Sequence, residues 1–387
     1  MLKPTLSAPM MLARQASRKN VPTSVTFQIT DRCNYDCSHC YQDHKANNEL
    51  STEAIFDIFA QLADAGILFL TLMGGEFFMH PDANKILQKA HDLGFSLRVL
   101  STGHHIHDKR ADFLSTIRPL QVDLSLYGSR PELHEQITRQ PGTWERTHAA
   151  AKRLIERKIP VLLKTPLMAH NVADYQNLKD LATRLGAQYT ADPKITATEG
   201  AEQDPVSLRM SQEALVDFYN NSLAPEANEH LVEANDRVLG NPPCNAGHGI
   251  CFINPRGEVW PCGSLPMAVG DLRTQSFLSI WTDSKDLQAV RDLRWAHISE
   301  CNECPVRSYC NRCHGMALME QGNMKGPSLE ACRHAVVVRD SLRERGLLPE
   351  TDTLLPPTWD RVEANGQHDL KDEGVVQRRS SALRILQ

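Results

Sequence analysis

Between residues 25 and 195 short apolar runs alternate with stretches of helical periodicity. The runs Val25–Thr30, Ile67–Met73, Phe95–Ser101, Gln121–Leu126, Ile159–Thr165 and Gln188–Lys194 read as strands. Ile67–Met73 is apolar on both faces, as a strand covered by helices on one side and packed inside on the other requires. Ser51 is placed to cap a helix with Glu53 in its first turn, Ile55, Phe59 and Leu62 along one face and Gly66 as its stop. Leu50 and Ile55 are set for a hydrophobic staple across its start. The same periodicity predicts helices over Ala83–Leu93, Arg146–Arg157 and Val172–Leu185. Six strand–helix alternations predict an α/β protein: a partial, TIM-like (β/α)6 barrel of parallel strands, with its chemistry at the C-terminal strand ends.

Five segments follow from the pattern: an N-terminal segment 1–24, the barrel 25–200, a connection 201–240, a Cys-rich domain 241–335 and a tail 336–387. The connection is polar, with one helical stretch around Gln212–Asn220. The Cys-rich domain holds few apolar residues, so it is expected to need metal to fold. After residue 345 the tail is Pro-rich, then polar and charged, which predicts a wrapping or partly disordered segment. No repeat recurs at a fixed period.

Composition excludes several classes. Among 387 residues, 42 Lys and Arg against 47 Asp and Glu give a net charge of −5, without the basic footprint of a nucleic-acid binder. The longest apolar runs fall far below the roughly 20 residues that span a bilayer, and Lys, Arg and Pro break up the N-terminus, so neither a membrane span nor a signal peptide is read and a cytoplasmic protein is expected. The 11 cysteines are the exception to this ordinary composition. Three stand at Cys33, Cys37 and Cys40, and the other eight lie between Cys244 and Cys332. An odd count without an export signal argues against a disulfide framework and for metal or cluster ligation.

Cys33-x3-Cys37-x2-Cys40 directly follows the first strand, which puts three thiols on a loop at the barrel rim. Zinc sites take four ligands, usually as CxxC pairs, whereas three thiolates on a cubane cluster leave one iron free for an external ligand. The stretch CNYDCSHCY resembles the CxxxCxxC motif of the radical S-adenosylmethionine (SAM) superfamily. That resemblance implies a [4Fe–4S] cluster on these cysteines, whose open iron chelates the amine and carboxylate of SAM. It also implies SAM contacts from Gly74, Gly75 and Glu76, similar to the family's GGE motif at the end of the second strand. Ser125 resembles the family Ser that contacts the SAM ribose, in an SLYG stretch where Tyr127 stands in place of the usual Asp. Arg139 resembles the family Arg that reaches the SAM carboxylate. No catalytic side chain is assigned beyond the cluster.

The remaining cysteines run Cys244-x6-Cys251-x10-Cys262, Cys301-x2-Cys304-x5-Cys310-x2-Cys313 and x18-Cys332, with Gly257 five residues before Cys262. This arrangement resembles the SPASM domain, which binds auxiliary iron–sulfur clusters. Cys310 and Cys313 are two residues apart where many relatives have three. The resemblance implies one auxiliary cluster on Cys244, Cys251, Cys262 and Cys313 and another on Cys301, Cys304, Cys310 and Cys332, three clusters in all. Zinc ribbons built on the CxxC pairs are the competing reading. The loop Gly103–Asp108 carries three histidines but reads as a polar rim loop, and Lys164 and Asp123 sit on strands that can face the cavity.

The resemblance implies reductive cleavage of SAM to a 5′-deoxyadenosyl radical that abstracts hydrogen from a substrate, with the auxiliary clusters as electron acceptors. SPASM enzymes point to a ribosomally made peptide or protein as substrate and to flavodoxin or ferredoxin as electron donor. With only residues 1–24 ahead of the barrel, a separate leader-peptide-binding protein is expected. Gly263 follows Cys262 where the sulfatase-maturing branch has an acidic residue, which argues against formylglycine formation. The alternatives are radical modification of a small molecule such as a tetrapyrrole or sugar intermediate, or a non-catalytic zinc-binding interaction protein.

Overall fold

The computed structural model describes residues 15–42, 48–202, 204–222 and 239–367. Six parallel strands form the main sheet: β1 (Ser24–Gln28), β2 (Phe69–Met73), β3 (Ser96–Ser101), β4 (Gln121–Ser125), β5 (Val161–Pro166) and β6 (Gln188–Asp192). Each lies within a few residues of its sequence expectation. Their order across the sheet is sequential, each strand beside the one before it. Helices α1 (Thr52–Asp64), α2 (Ala83–Asp92), α3 (Asp108–Ile117), α4 (Pro131–Thr138), α5 (Thr143–Glu156) and α6 (Tyr175–Leu185) fill the crossovers. The Ser51 hydroxyl accepts from the Ala54 amide at 3.2 Å, the cap that the sequence promised, worth about 1 kcal/mol. Leu50 and Ile55 are both buried in the main core.

Strand alternation separates two faces. Val122 and Leu124 on β4 are fully buried in the core shared with the helices, whereas Asp123 and Ser125 line a cavity inside the curve of the sheet. Helices α3 and α4 carry too weak an apolar face to be read in advance. Only Ala111, Leu114 and Ile117 are buried on α3.

The Cys-rich region is not a separate body. Strand β7 (Ile250–Ile253) pairs in parallel with β1 and continues the barrel sheet on its other edge, followed by antiparallel β8 (Glu258–Trp260) and β9 (Gly270–Asp271). Ile253, Val259, Phe277 and Ile280 belong to the same continuous core as β1 and α1. The first half of this region is therefore packed on a core that it shares with the barrel rather than on one of its own. Helices α7 (Gln212–Ser222), α8 (Phe277–Asp283), α9 (Lys285–Arg291), α10 (Ser299–Asn302), α11 (His314–Gln321), α12 (Leu329–Glu344) and α13 (Trp359–Gln367) complete the described chain. The expected boundary at residue 335 falls inside α12, a buried helix that packs on α7 and ends just before the Pro-rich stretch. Much of the expected N-terminal segment and connection, and the tail beyond 367, lie outside the described residues. No described helix is long and apolar enough to cross a membrane.

Candidate functional site

A cavity of about 520 Å³, within the range of small-molecule sites, opens at the C-terminal ends of the strands. Cys33, Cys37 and Cys40 line it together with Gly74 and Gly75, where the sequence placed them. The loop after β1 is held tightly. Glu49 accepts from the Thr30 hydroxyl and the Asp31 amide, both at 2.7 Å, and the Tyr35 amide donates to the Cys33 sulfur at 3.4 Å. A Cβ on Gly75 would stand 2.7 Å from the Arg32 carbonyl and 2.8 Å from the Cys33 Cβ, so the two backbones meet where only glycine fits.

The three thiols act on one another. Burial pushes the Cys33 thiol up to about 11, against the Tyr35 amide, with the charges of Glu76 and Cys40 adding to the rise. Burial also raises Cys37, reinforced by Cys40 and Cys33. Desolvated thiols crowded in a cavity disfavour the thiolate unless a cation joins them, and iron in a cluster supplies that cation. Donor type and number fit the cluster that the motif implies.

Tyr127 occupies the position of the missing Asp and is 6% exposed. Its ring stacks on His134 at 5.3 Å and meets the His39 ring edge-on at 4.6 Å. Burial raises its phenol well above the ordinary value, with the charge of Cys37 adding to the rise and Ser125 opposing it. Ser125 lines the cavity as expected. Tyr127 and His39 were not singled out as site residues; the departure from Asp was the only signal for the tyrosine.

Two expectations are corrected. Glu76 does not reach the cavity. One carboxylate oxygen accepts from Phe78 N at 3.0 Å and Ser101 Oγ at 2.8 Å, the other from Thr102 N at 2.6 Å and Thr102 Oγ1 at 2.7 Å. Its acceptors are spent stapling the end of β2 to the end of β3, and the GGE segment presents glycine backbone to the cavity instead. Glu76→Gln sets an NH2 against some of these donors and is expected to cost about 1–3 kcal/mol of stability, measured by denaturant unfolding of the anaerobic protein. An unchanged midpoint would dismiss the staple.

Arg139 is the second correction. It closes α4 in a left-handed conformation at φ 54°, and its guanidinium sits at the surface, 3.3 Å from Asp36. It is 57% exposed and is not among the cavity-lining residues.

Asp123 and Lys164 do face the cavity, 3.6 Å apart, and Asp123 also accepts from Gln121 at 2.6 Å and pairs with Arg98 at 3.2 Å. His104 of the Gly103–Asp108 loop packs edge-on against Tyr35 and takes a hydrogen bond from Arg146.

The eight later cysteines divide into two groups and one outlier. Cys262 and Cys244 act on one another and both on Cys313. Cys301 acts with Cys332 and Cys304. The Cys310 sulfur approaches the Ala331 carbonyl beside Cys332 at 3.7 Å and packs in one cluster with Cys304. Cys251 stands apart. Its neighbour on β7, Phe252, lines the cavity, so Cys251 points to the opposite face, where it is buried in the main core. Burial raises it to about 12, and Arg291 is the one charged group that acts on it. The first auxiliary set therefore brings together three of its four expected thiols.

Both domains wall the cavity. Gly263, Ser264, Pro266 and Met319 line it together with Cys33 and Cys37. Gly315 lies so close to the Ser264 carbonyl that no Cβ fits between them, which seats α11 directly on the turn after Cys262.

Residues 27–185 match the family model of the Radical SAM superfamily, and residues 244–305 match SPASM, an iron–sulfur cluster-binding domain. The AdoMet-dependent heme synthase of Methanosarcina barkeri is 25% identical over 79% of this chain and 94% of its own length. The PqqA peptide cyclase of Rhizobium meliloti is 28% identical over 92% of this chain and 96% of its own. Among solved structures, SuiB of Streptococcus suis bound to its precursor peptide SuiA shares the fold, with a TM-score of 0.65 at 15% identity over 84% of this chain and 81% of SuiB.

Proposed function

We propose, for a chain that belongs to the radical SAM superfamily and carries a SPASM domain, that it oxidatively modifies a ribosomally made peptide. The observation that carries this reading is the shared cavity. Its lining takes in Cys33, Cys37 and Cys40 of the barrel and also Gly263 and Ser264, next to Cys262 of the Cys-rich region. A substrate held between them lies within reach of both a radical source and an electron acceptor. The likeness to PqqA peptide cyclase over nearly the whole chain supports a peptide as that substrate.

When bound, the clusters and SAM supply one-electron reductive cleavage of SAM, which makes the radical that removes a substrate hydrogen. The protein's own part is positioning and exclusion of water. Cys33, Cys37 and Cys40 would hold the first cluster. The Gly74–Gly75 backbone and Ser125 would border SAM. Asp123 and Lys164, on β4 and β5, would meet polar groups of the substrate. Cys244, Cys262 and Cys313 would hold one auxiliary cluster, and Cys301, Cys304, Cys310 and Cys332 the other. A flavodoxin or ferredoxin would deliver the electron, and a separate protein would present the leader peptide.

The likeness to heme synthase favours a second reading, oxidation of a tetrapyrrole side chain. One experiment separates the two. Anaerobically reconstituted protein is given SAM, reductant and either short peptides encoded beside its gene or a carboxylated porphyrin, and products are read by mass spectrometry. Loss of hydrogen mass from a peptide is the expected result. Conversion of the porphyrin alone would overturn the peptide reading.

A further inference from the structure

Arg312 lies in Cys310-Asn311-Arg312-Cys313, the segment that passes from the second auxiliary set to the first. It is 3% exposed. Its Nε donates to the Gly326 carbonyl at 3.0 Å, and its Nη2 donates to the Met324 and Gly326 carbonyls, both at 2.5 Å. Its Nη1 donates to His314 Nδ1 at 2.6 Å. A histidine that accepts at Nδ1 from a guanidinium is the neutral ring. All of these acceptors are neutral.

Among the described residues no carboxylate pairs with Arg312. Thiols of both sets act with it, Cys301, Cys310 and Cys332 of one and Cys244 and Cys313 of the other. Other buried arginines of this chain are compensated differently. Arg209 lies 2.5 Å from Glu320, Arg339 lies 2.9 Å from Asp340, and Arg291 rests on the Trp281 ring at 4.4 Å. A buried cation without a counter-charge is strongly disfavoured, so the anion that balances Arg312 has to come from the cysteines.

We propose that Arg312 is a positioning residue shared by both auxiliary iron–sulfur sites, buried between them, balanced by their joint negative charge and raising the reduction potential of each. The inference rests on the cysteine sets assigned above. A thiolate-ligated cluster gains negative charge on reduction, and a fixed cation nearby in a medium of low dielectric favours the reduced form. The same cation lowers the repulsion between two anionic clusters joined by so short a segment.

The test compares reconstituted full-length Arg312→Met and Arg312→Lys with the parent by iron content and by redox titration followed with electron paramagnetic resonance. Arg312→Met is expected to shift both auxiliary midpoints to lower potential and leave the Cys33–Cys37–Cys40 cluster unmoved. Arg312→Lys, which keeps the charge without the planar fork, is expected to fall between the two. Unchanged potentials at full iron content overturn the proposal, as does a shift confined to one auxiliary cluster. If the Met variant loses the auxiliary iron, the Lys variant decides: retention of both sets supports the role of charge, and loss from both variants overturns it. Absence of auxiliary iron from the parent would defeat the ligand assignment itself, a failure distinct from these.

Discussion

Replacing Cys33, Cys37 and Cys40 together by Ala is expected to remove about four of roughly 12 iron atoms, the content of three cubane clusters, and to abolish SAM cleavage. The structure allows the fold to survive the change. The three side chains line the cavity, Cys37 also touching the small apolar cluster of Tyr127 and Ile137, and the loop that carries them is fixed by Glu49 to Thr30 and Asp31 and by the fit of Gly75 against Arg32 and Cys33. None of the later cysteines is among the cavity-lining residues, so the auxiliary iron should remain. The measurements are iron and sulfide per chain and 5′-deoxyadenosine formed under excess dithionite. A triple variant that still releases 5′-deoxyadenosine would refute the assignment of the radical site to this loop.

The barrel was legible because its signals are local. Each strand is a short apolar run, and α1 carries its cap, stripe and stop within a few residues. The three-cysteine loop was legible for the same reason, since spacing alone sets three thiols close together on one turn. What the sequence hid depends on faces and partners. Glu76 stands at the right place in the motif, yet only the structure shows four donors from Phe78, Ser101 and Thr102 turning its carboxylate away from the cavity. Arg139 was misplaced because a left-handed residue at the end of α4 sends its side chain outward, and no spacing rule encodes that turn. The cysteine domain read as poor in apolar residues because its strand β7 is completed by β1, some 225 residues earlier in sequence. Once β7 is known to extend the sheet, the alternation of Cys251 with Phe252 puts the cysteine on the helix side. Counting ligands by spacing could not see that, because a strand gives adjacent residues opposite faces.

That alternation leads to the sharpest test of the auxiliary sites. Cys262→Ala and Cys304→Ala each remove a thiol from a group whose members act on one another, and each is expected to cost about four iron atoms. Cys251→Ala removes a core thiol with no cysteine partner. It is expected to keep full iron and to lose on the order of 1 kcal/mol through poorer packing. The two ligand variants should differ in kind. Around Cys262 the chain shares the barrel's continuous core, so Cys262→Ala should leave the fold intact. Around Cys304 the apolar clusters are small, built on Val306, Ala331, Ala335 and Val336, so Cys304→Ala should also loosen α12. In both, SAM cleavage uncoupled from substrate should persist at a reduced level, because the radical site sits on the barrel. Substrate conversion should fall much further, because the substrate radical has lost its acceptor. The readout is the ratio of 5′-deoxyadenosine to modified substrate in matched anaerobic assays, raised in Cys262→Ala and Cys304→Ala and near the parent's in Cys251→Ala. Iron loss from Cys251→Ala equal to that from Cys262→Ala would return Cys251 to the ligand set. A ratio near the parent's in all three variants would show that the auxiliary clusters take no part in turnover.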